Sequence, residues 1–253
     1  MLLGIGLLFV LYFGPLMRAL GDLLSYGQAG RVVQSYPARL RGELSAKGLR
    51  YVPYAEIPLC ARQGIASVED KRFFTNSGID LLAIVRVLAM TVVNDHADHG
   101  GSTITQQLAR IIVEEPRNEP GVLAEALGMM TVLRYTLVVN YEFTKPQIME
   151  LYFNSVYFGR RAQGIAQAAK AYFQSDLEHL RMGQCLYLTG LPQAPSIFGR
   201  DAAGPGAMQR YRHVLSTMAR NHYLSGVAAR ELERESLGLV PSPEPPRVHS
   251  SSN

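Results

Sequence analysis

Apolar positions along this chain recur with a helical period, and few stretches show the period of two that a half-buried strand needs. Residues 2–17, LLGIGLLFVLYFGPLM, are apolar throughout, and the first charge is Arg18. As a helix that run rises roughly 24 Å, a little short of a bilayer core. Ala19 and Leu20 lengthen it past Arg18, whose side chain can snorkel. Residues 1–22 therefore read as a transmembrane anchor. A cleaved signal peptide and a buried core helix are the alternatives; no basic residue precedes the run and no A-x-A site closes it, which weakens the signal-peptide reading. Orientation is poorly fixed, because no positive charge stands ahead of the span. Residues 23–44 are polar and basic and read as a juxtamembrane stalk. Residues 45–235 read as a body of short helices, and residues 236–253, ending PSPEPPRVHSSSN, as a disordered tail.

Within the body, Ala61, Ile65 and Val68 form an apolar stripe that ends at Glu69 and Asp70. GIDLLAIVRVLAMTVVND reads as a helix capped by Asp80, DHADHGG as a loop, 102–112 as a helix with Ser102 as its cap, and PRNEPG as a turn. Residues 122–141 are strongly apolar and helical. Thr144 is expected to cap the next helix, with Pro146 in its first turn. Further helices are expected over 162–173, 177–191 and 208–235. The aromatic-rich stretch 149–173 reads as a helical hairpin packed through Tyr152, Phe153, Tyr157 and Phe158. The sum is an all-α domain.

Composition changes this picture little. The chain has 253 residues, 47% of them hydrophobic and 18% charged, with a net charge of +4. That excess suits an anionic lipid surface or a phosphate-bearing substrate; it is too mild for nucleic acid, and no basic run with interleaved aromatics occurs. Cys60 and Cys185 are the two cysteines. A pair is conceivable in an oxidising compartment, but Cys185 lies in the apolar run MGQCLYLTGL, so two separately buried thiols are expected.

The candidate chemistry lies in a few short stretches. In GGSTITQQLAR, residues 100–110, helical spacing puts Thr103, Gln106, Gln107 and Arg110 on one face and Ile104, Leu108, Ile111 and Ile112 on the other. A helix N-terminus reached through two glycines favours an anion, although an ordinary capped amphipathic helix explains the same spacing. In VEDKRFFTNSGID, Glu69 stands near Phe73, where partial desolvation would make it a usable base; a solvated Glu69–Arg72 pair is the plainer reading. DHADH, residues 95–99, holds potential metal ligands, but in no standard ligand spacing.

Taken in order, these stretches resemble the peptidoglycan glycosyltransferases of family 51. VEDKRFFTNSGID is similar to that family's ED-x-x-F-x-x-H-x-G-x-D signature, and GGSTITQQLAR to its G-x-S-x-T-x-Q-Q-x-x-K/R signature. ELYFNSVYFGRRAQGIAQAAKAYF and LYLTGLPQAPS resemble the fourth and fifth signatures, and YVPYAEIP fits the lead-in. The likeness runs over roughly residues 45–225. It implies a lysozyme-like, two-lobed helical fold and polymerisation of lipid II at the outer face of the bacterial cytoplasmic membrane. Glu69 would be the general base, and Glu125 is the candidate for the second carboxylate. Asp70, Phe73, Ser102, Thr103, Thr105, Gln106, Gln107, Arg110 and Asn154 would line the substrate site. A divalent cation such as Mg would assist the departing pyrophosphate. The implied partners are lipid II, the growing glycan strand, the membrane and other cell-wall synthesis proteins, and the likeness is to monofunctional members. A catalytically impaired relative that binds lipid II or a cell-wall protein is the alternative, and a glycan hydrolase on a lysozyme-like scaffold a more distant one. Four departures stand out. The third signature, R-K-x-x-E, is not intact: Gly121 and Val122 stand where its basic residues are expected, and Arg134 is the nearest charge to the other count. Asn76 replaces a usual His, Arg161 a usual Gly and Gln184 a usual Glu.

Overall fold

A computed structural model describes residues 26–76, 103–113 and 122–241, the side chains of 122–127 excepted. The apolar run 2–17, the helix expected after Asp80, the DHADH loop, Ser102 and the 116–121 turn lie outside the described residues.

The described chain is helical throughout: α1 (Tyr26–Ala46), a 3-10 turn (Tyr54–Glu56), α2 (Leu59–Glu69), α3 (Ile104–Val113), α4 (Val122–Glu142), α5 (Lys145–Ser155), α6 (Ile165–Phe173), a second 3-10 turn (Leu177–His179), α7 (Met182–Gly190), a third (Leu191–Gln193), α8 (Pro195–Arg200), α9 (Pro205–Arg220) and α10 (Gly226–Arg234). Among the described residues β pairing is limited to one antiparallel bridge, Tyr157 to Gln163. None of the described helices is long and apolar enough to cross a membrane.

Several boundaries follow from side-chain chemistry. Thr144 and Gln147 form a reciprocal cap at α5, and Pro146 sits in its first turn. Helix α3 starts one turn position later than the sequence suggests: its cap is Thr103, whose hydroxyl accepts from the Gln106 backbone N–H at 3.1 Å while the Gln106 amide oxygen accepts from the Thr103 N–H at 2.9 Å. The expected hairpin at 149–173 is two helices joined by a tight turn, because Gly159, Arg160 and Arg161 all take positive φ. Gly159 is obligatory there, since a Cβ would stand 2.3 Å from the Pro195 carbonyl oxygen. Tyr152, Phe153 and Phe158 are buried as expected, whereas Tyr157 is exposed.

Helices α1, α3, α4 and α5 pack on one another; α2, α7, α9 and α10 form a second packed group, with α6 between α5 and α7. One hydrophobic core runs through both groups. Its four largest fully buried members are tyrosines. Tyr172, Tyr187 and Tyr211 stack in series with centroids 6.0 Å apart. Each buried hydroxyl donates to a backbone carbonyl, of Phe158, Ala202 and Leu232 respectively, which removes the penalty of leaving it unpaired.

The structure corrects three expectations. Residues 23–44 are not a free stalk. From Tyr26 they form α1, which buries Val33, Tyr36, Leu40 and Leu44 because these apolar positions share one face. The tail begins later than residue 236. Residues 236–241 form a strap: Leu237 is buried, Gln184 Nε2 donates to its carbonyl at 3.0 Å, and Arg160 Nη1 donates to the Val240 carbonyl at 2.8 Å. Gln184 also accepts from the Arg181 N–H at the start of α7. An amide serves both ends and a carboxylate cannot, so Gln184 is explained. Finally, Cys60 and Cys185 are joined in a disulfide with Cα atoms 6.2 Å apart. Their sequence separation of 125 hid the fact that α2 and α7 lie side by side.

The α2–α7 contact is close at Gly64, where an added Cβ would meet Thr189 Oγ1 at 2.8 Å and Leu186 Cδ2 at 3.1 Å. Gly64→Ala is expected to force these helices apart at a cost of about 1–3 kcal/mol. A urea midpoint equal to that of the unmodified chain would show that the contact is not tight.

Candidate functional site

Four helices deliver polar side chains to one largely buried chain of hydrogen bonds. Glu69 ends α2, Gln107 lies on α3, Tyr152 on α5 and Arg210 on α9. Tyr152, fully buried, donates its hydroxyl to Gln107 Oε1 at 3.0 Å. Gln107 Nε2 donates to Glu69 Oε2 at 2.8 Å. Arg210 Nη2 donates to Glu69 Oε1 at 2.6 Å, and the two side chains are only 10% and 13% exposed. Arg210 Nε donates to the Gly190 carbonyl at the end of α7, at 3.0 Å. Glu69 is thus held at both oxygens by donors from two different helices. A carboxylate has about four lone-pair positions, so each oxygen keeps one for a further donor. Burial draws the Arg210 guanidinium below its usual range, with the Glu69 charge opposing this. Burial likewise pushes the Tyr152 phenol well above its ordinary value, with the Glu69 charge adding to the rise.

Beside this chain stands a second cluster. Asp70, only 8% exposed, follows α2 and accepts from Asn76 Nδ2 at 2.8 Å through Oδ1. Lys145 Nζ donates to Asn76 Oδ1 at 2.9 Å and to Asn140 Oδ1 at 3.1 Å, and lies 4.9 Å from the centroid of the buried Phe73 ring. Asn76, in place of the expected His, therefore couples an acid to a cation with one donor and one acceptor. Burial raises the Asp70 pKa, and Asn76, the Ile104 backbone N–H and the Lys145 charge pull it back. Burial lowers the Lys145 pKa and Asp70 opposes this.

The predicted site residues divide accordingly. Glu69, Asp70, Phe73 and Gln107 come together, but Gln107 spans Tyr152 and Glu69 instead of lining an open surface. Thr103 and Gln106 cap α3, so the expected free helix terminus is filled by the chain's own groups. Thr105 is buried, and its hydroxyl has no partner among the described residues. Arg110 is exposed on the same helix. Asn154 is engaged inside the protein. It is 1% exposed, accepts from the Val52 N–H at 2.7 Å and donates to the Val52 and Glu150 carbonyls. Glu150 accepts from the Tyr51 hydroxyl at 2.6 Å and the Tyr54 N–H at 2.8 Å. Together these α5 residues clamp the segment that leads into α2 and so fix where Glu69 emerges. The Glu69–Arg72 pair gives way to Glu69–Arg210, a partner 141 residues away. Ser102 and the Glu125 side chain lie outside the described residues. Arg134 lies on α4 with its guanidinium 5.9 Å from the Tyr135 ring centroid. Among the described residues no group of three His, Cys, Asp or Glu side chains converges. Of the two carboxylates at the site, Glu69 is already paired and Asp70 is sequestered, so neither forms a cluster suited to a divalent cation.

Sequence reasoning missed Arg210 and Lys145. Each is one cation on an amphipathic helix, with no local signature that distinguishes it from a surface residue. Tyr152 was assigned to packing, which is correct for its ring and incomplete for its hydroxyl.

The model of the transglycosylase family matches residues 38–219. A putative transglycosylase of Cupriavidus necator is 36% identical over 169 residues, covering 66% of this chain and 70% of that protein. Penicillin-binding protein 1A of Rickettsia felis is 31% identical over 223 residues, 83% of this chain and 27% of the relative. Penicillin-binding protein 1A of Neisseria lactamica is 30% identical over 197 residues, 78% of this chain and 23% of the relative. The chain thus spans about a quarter of the length of these penicillin-binding proteins. It belongs to the transglycosylase family, the family 51 glycosyltransferases that its motif order resembles.

Two predictions test the site. Arg210→Ala leaves the Glu69 charge buried without its partner and is expected to cost about 3–5 kcal/mol. The same change in a Glu69→Gln background should cost clearly less; equal costs would show that the pair is not coupled. Asp70 gives a pH test. Its raised pKa means that the folded chain holds the proton more tightly than the unfolded chain does. Stability is therefore lost as pH rises from the unfolded value of about 3.9 through the folded one, and regained as pH falls. Relative to the non-titrating Asp70→Asn variant, the unmodified chain should gain stability between about pH 7 and about pH 4. A difference in denaturation midpoint that is constant with pH would contradict this.

Proposed function

We propose that this chain polymerises peptidoglycan glycan strands from lipid II. The observation that carries the reading is Glu69, held at both oxygens where four helices meet, with lone pairs left for an incoming hydroxyl. In the proposed reaction Glu69 takes the proton from an acceptor sugar hydroxyl. The oxygen attacks the anomeric carbon of the lipid-linked donor, the new C–O bond forms with inversion, and the bond to the pyrophosphate breaks. Undecaprenyl pyrophosphate leaves with the bonding electrons. Arg210 and Gln107 hold the carboxylate in orientation, so little reorganisation is needed as the proton moves. Because the first turn of α3 is occupied by Thr103 and Gln106, we assign the countercharge for the leaving group to the exposed Arg110 further along that helix. The divalent cation implied by the family resemblance is assigned to the pyrophosphate of the substrate, and no step is routed through it. Glu125 is retained as the candidate second carboxylate.

The fold and location belong to the same proposal. The two packed groups of helices support a two-lobed, lysozyme-like reading. The apolar run 2–17 supports an N-terminal anchor in the bacterial cytoplasmic membrane. The Cys60–Cys185 disulfide supports an oxidising compartment, and so the outer face. Partners on this reading are lipid II, the growing strand and other cell-wall synthesis proteins. The altered third signature favours the alternative of an impaired relative that binds lipid II without turnover.

The test is polymerisation of labelled lipid II by the full chain in detergent. Glu69→Gln is expected to lower the rate by about 10²–10⁴-fold with folding intact. Glu125→Gln, run alongside, reports whether that residue is the second carboxylate. Turnover unchanged in Glu69→Gln removes Glu69 from the mechanism. No product from the unmodified chain, with lipid II still bound, establishes the binding-module alternative.

A further inference from the structure

Helices α2 and α7 lie side by side and are joined at three levels. Near their N-terminal ends Cys60 and Cys185 form the disulfide. In the middle Gly64 allows close approach of Thr189 and Leu186. At their C-terminal ends Glu69 is tied through Arg210 to the Gly190 carbonyl. From Cys60 to Glu69 along α2 is roughly 13.5 Å of continuous helix. A change in how Cys60 is held is therefore transmitted to Glu69 by a single rigid element. Helix α9, which carries Arg210, packs on both α2 and α7, so the same shift acts on both members of the ion pair.

The two cysteines differ in burial. Cys185 is 0% exposed, whereas Cys60 is half-buried. Cys60 also forms part of the wall of an open, mainly apolar pocket of about 260 Å³, with Leu59, Met182, Leu186, Met218 and Tyr223 around it. The pocket has Cys60 in its wall and not Cys185, and so offers an incoming thiolate the Cys60 end of the bridge.

We propose that Cys60–Cys185 is a redox-modification site that controls how Glu69 is presented, with Cys60 as the sulfur attacked by a dithiol reductant. The thiolate of the reductant bonds to Cys60 Sγ. The S–S bond breaks, and its electron pair leaves on Cys185 Sγ, which takes a proton. The second thiol of the reductant then attacks the mixed disulfide, releases Cys60 as a thiol and leaves as an oxidised disulfide. Two electrons and two protons have moved from the reductant to the protein. Loss of the bridge frees the N-terminal end of α2 from α7 and loosens the alignment of Glu69 with Arg210. The inference rests on the reading of Glu69 as the base.

The experiment uses the full chain in detergent and dithiothreitol as the dithiol. Three quantities are read: thiol labelling at Cys60 and Cys185, hydrogen exchange over residues 59–69, and lipid II polymerisation. Reduction of the folded chain is expected to expose both thiols, speed exchange in α2 and lower polymerisation by at least about tenfold. It should lower Tm by roughly 5–15 °C. Reoxidation should restore all of these. The Cys60→Ser, Cys185→Ser double variant should match the reduced chain and ignore dithiothreitol; the redox cycle of the unmodified chain decides the matter if that variant does not fold. A bridge that resists dithiothreitol while the chain is folded overturns the proposal, as does full reduction with exchange and polymerisation unchanged. Faster exchange in α2 from a chain that makes no polymer in either state upholds the coupling and defeats the functional reading instead.

Discussion

The structure depends on the buried pair formed by Glu69 and Arg210. Neither charge is tolerated in a helix-packed interior alone, since desolvation of an isolated ion costs several kcal/mol. Each is placed by neighbouring polar groups. Arg210 is braced by the Gly190 carbonyl and Glu69 by Gln107, which in turn is fixed by Tyr152. The consequence is that α2, α3, α5, α7 and α9 cannot move independently without leaving a donor or an acceptor unmatched. Such networks are costly when half satisfied and specific when complete.

The position of Glu69 is set from both ends of α2. At the N-terminal side, Glu150 and Asn154 bind the backbone around Tyr51–Tyr54, and the disulfide ties Cys60 to α7. At the C-terminal side, Asp70 turns the chain and is held by Asn76, which Lys145 holds in turn. On the proposed reading these side chains matter to catalysis without meeting a substrate. Their task is to limit the places where one carboxylate can be.

Much of this was legible in the sequence, and the boundary is physical. Helix existence followed from apolar periodicity, and the cap at α5 from the Thr144, Pro146 and Gln147 pattern. Glu69 was legible because the family order singled it out. The partners were not. Arg210 lies 141 residues from Glu69, and local pattern carries no information on which of many cations an acid will meet. Asn154 and Gln107 mark the opposite limit: they belong to motifs that resemble a substrate site, and pattern does not tell that their amides are hydrogen-bonded inside the protein. The disulfide was misread because an apolar helical run is equally consistent with a buried thiol and a buried bridge. α1 was misread as a stalk because polar residues dominate its composition, although its apolar positions share one face.

On the proposed reading, Glu69 is a base bound to an arginine that must still accept a proton. Arg210 Nη2 occupies one lone pair of Glu69 Oε1 and Gln107 Nε2 one of Oε2. The pairing therefore orients the carboxylate and leaves the proton only the remaining lone pairs. The conflict eases if the substrate alters the pair. An arriving pyrophosphate is a denser anion than a carboxylate, and a guanidinium drawn even slightly toward it releases its hold on Glu69 Oε1. Charge building on the leaving group and release of Glu69 Oε1 would then be one event. A second fixed cation at the leaving group, as the usual third signature supplies, would weaken that coupling. On the proposed reading its alteration here, at Gly121 and Val122, would throw more of the countercharge onto Arg110, and would make the alignment held by α2 correspondingly more important.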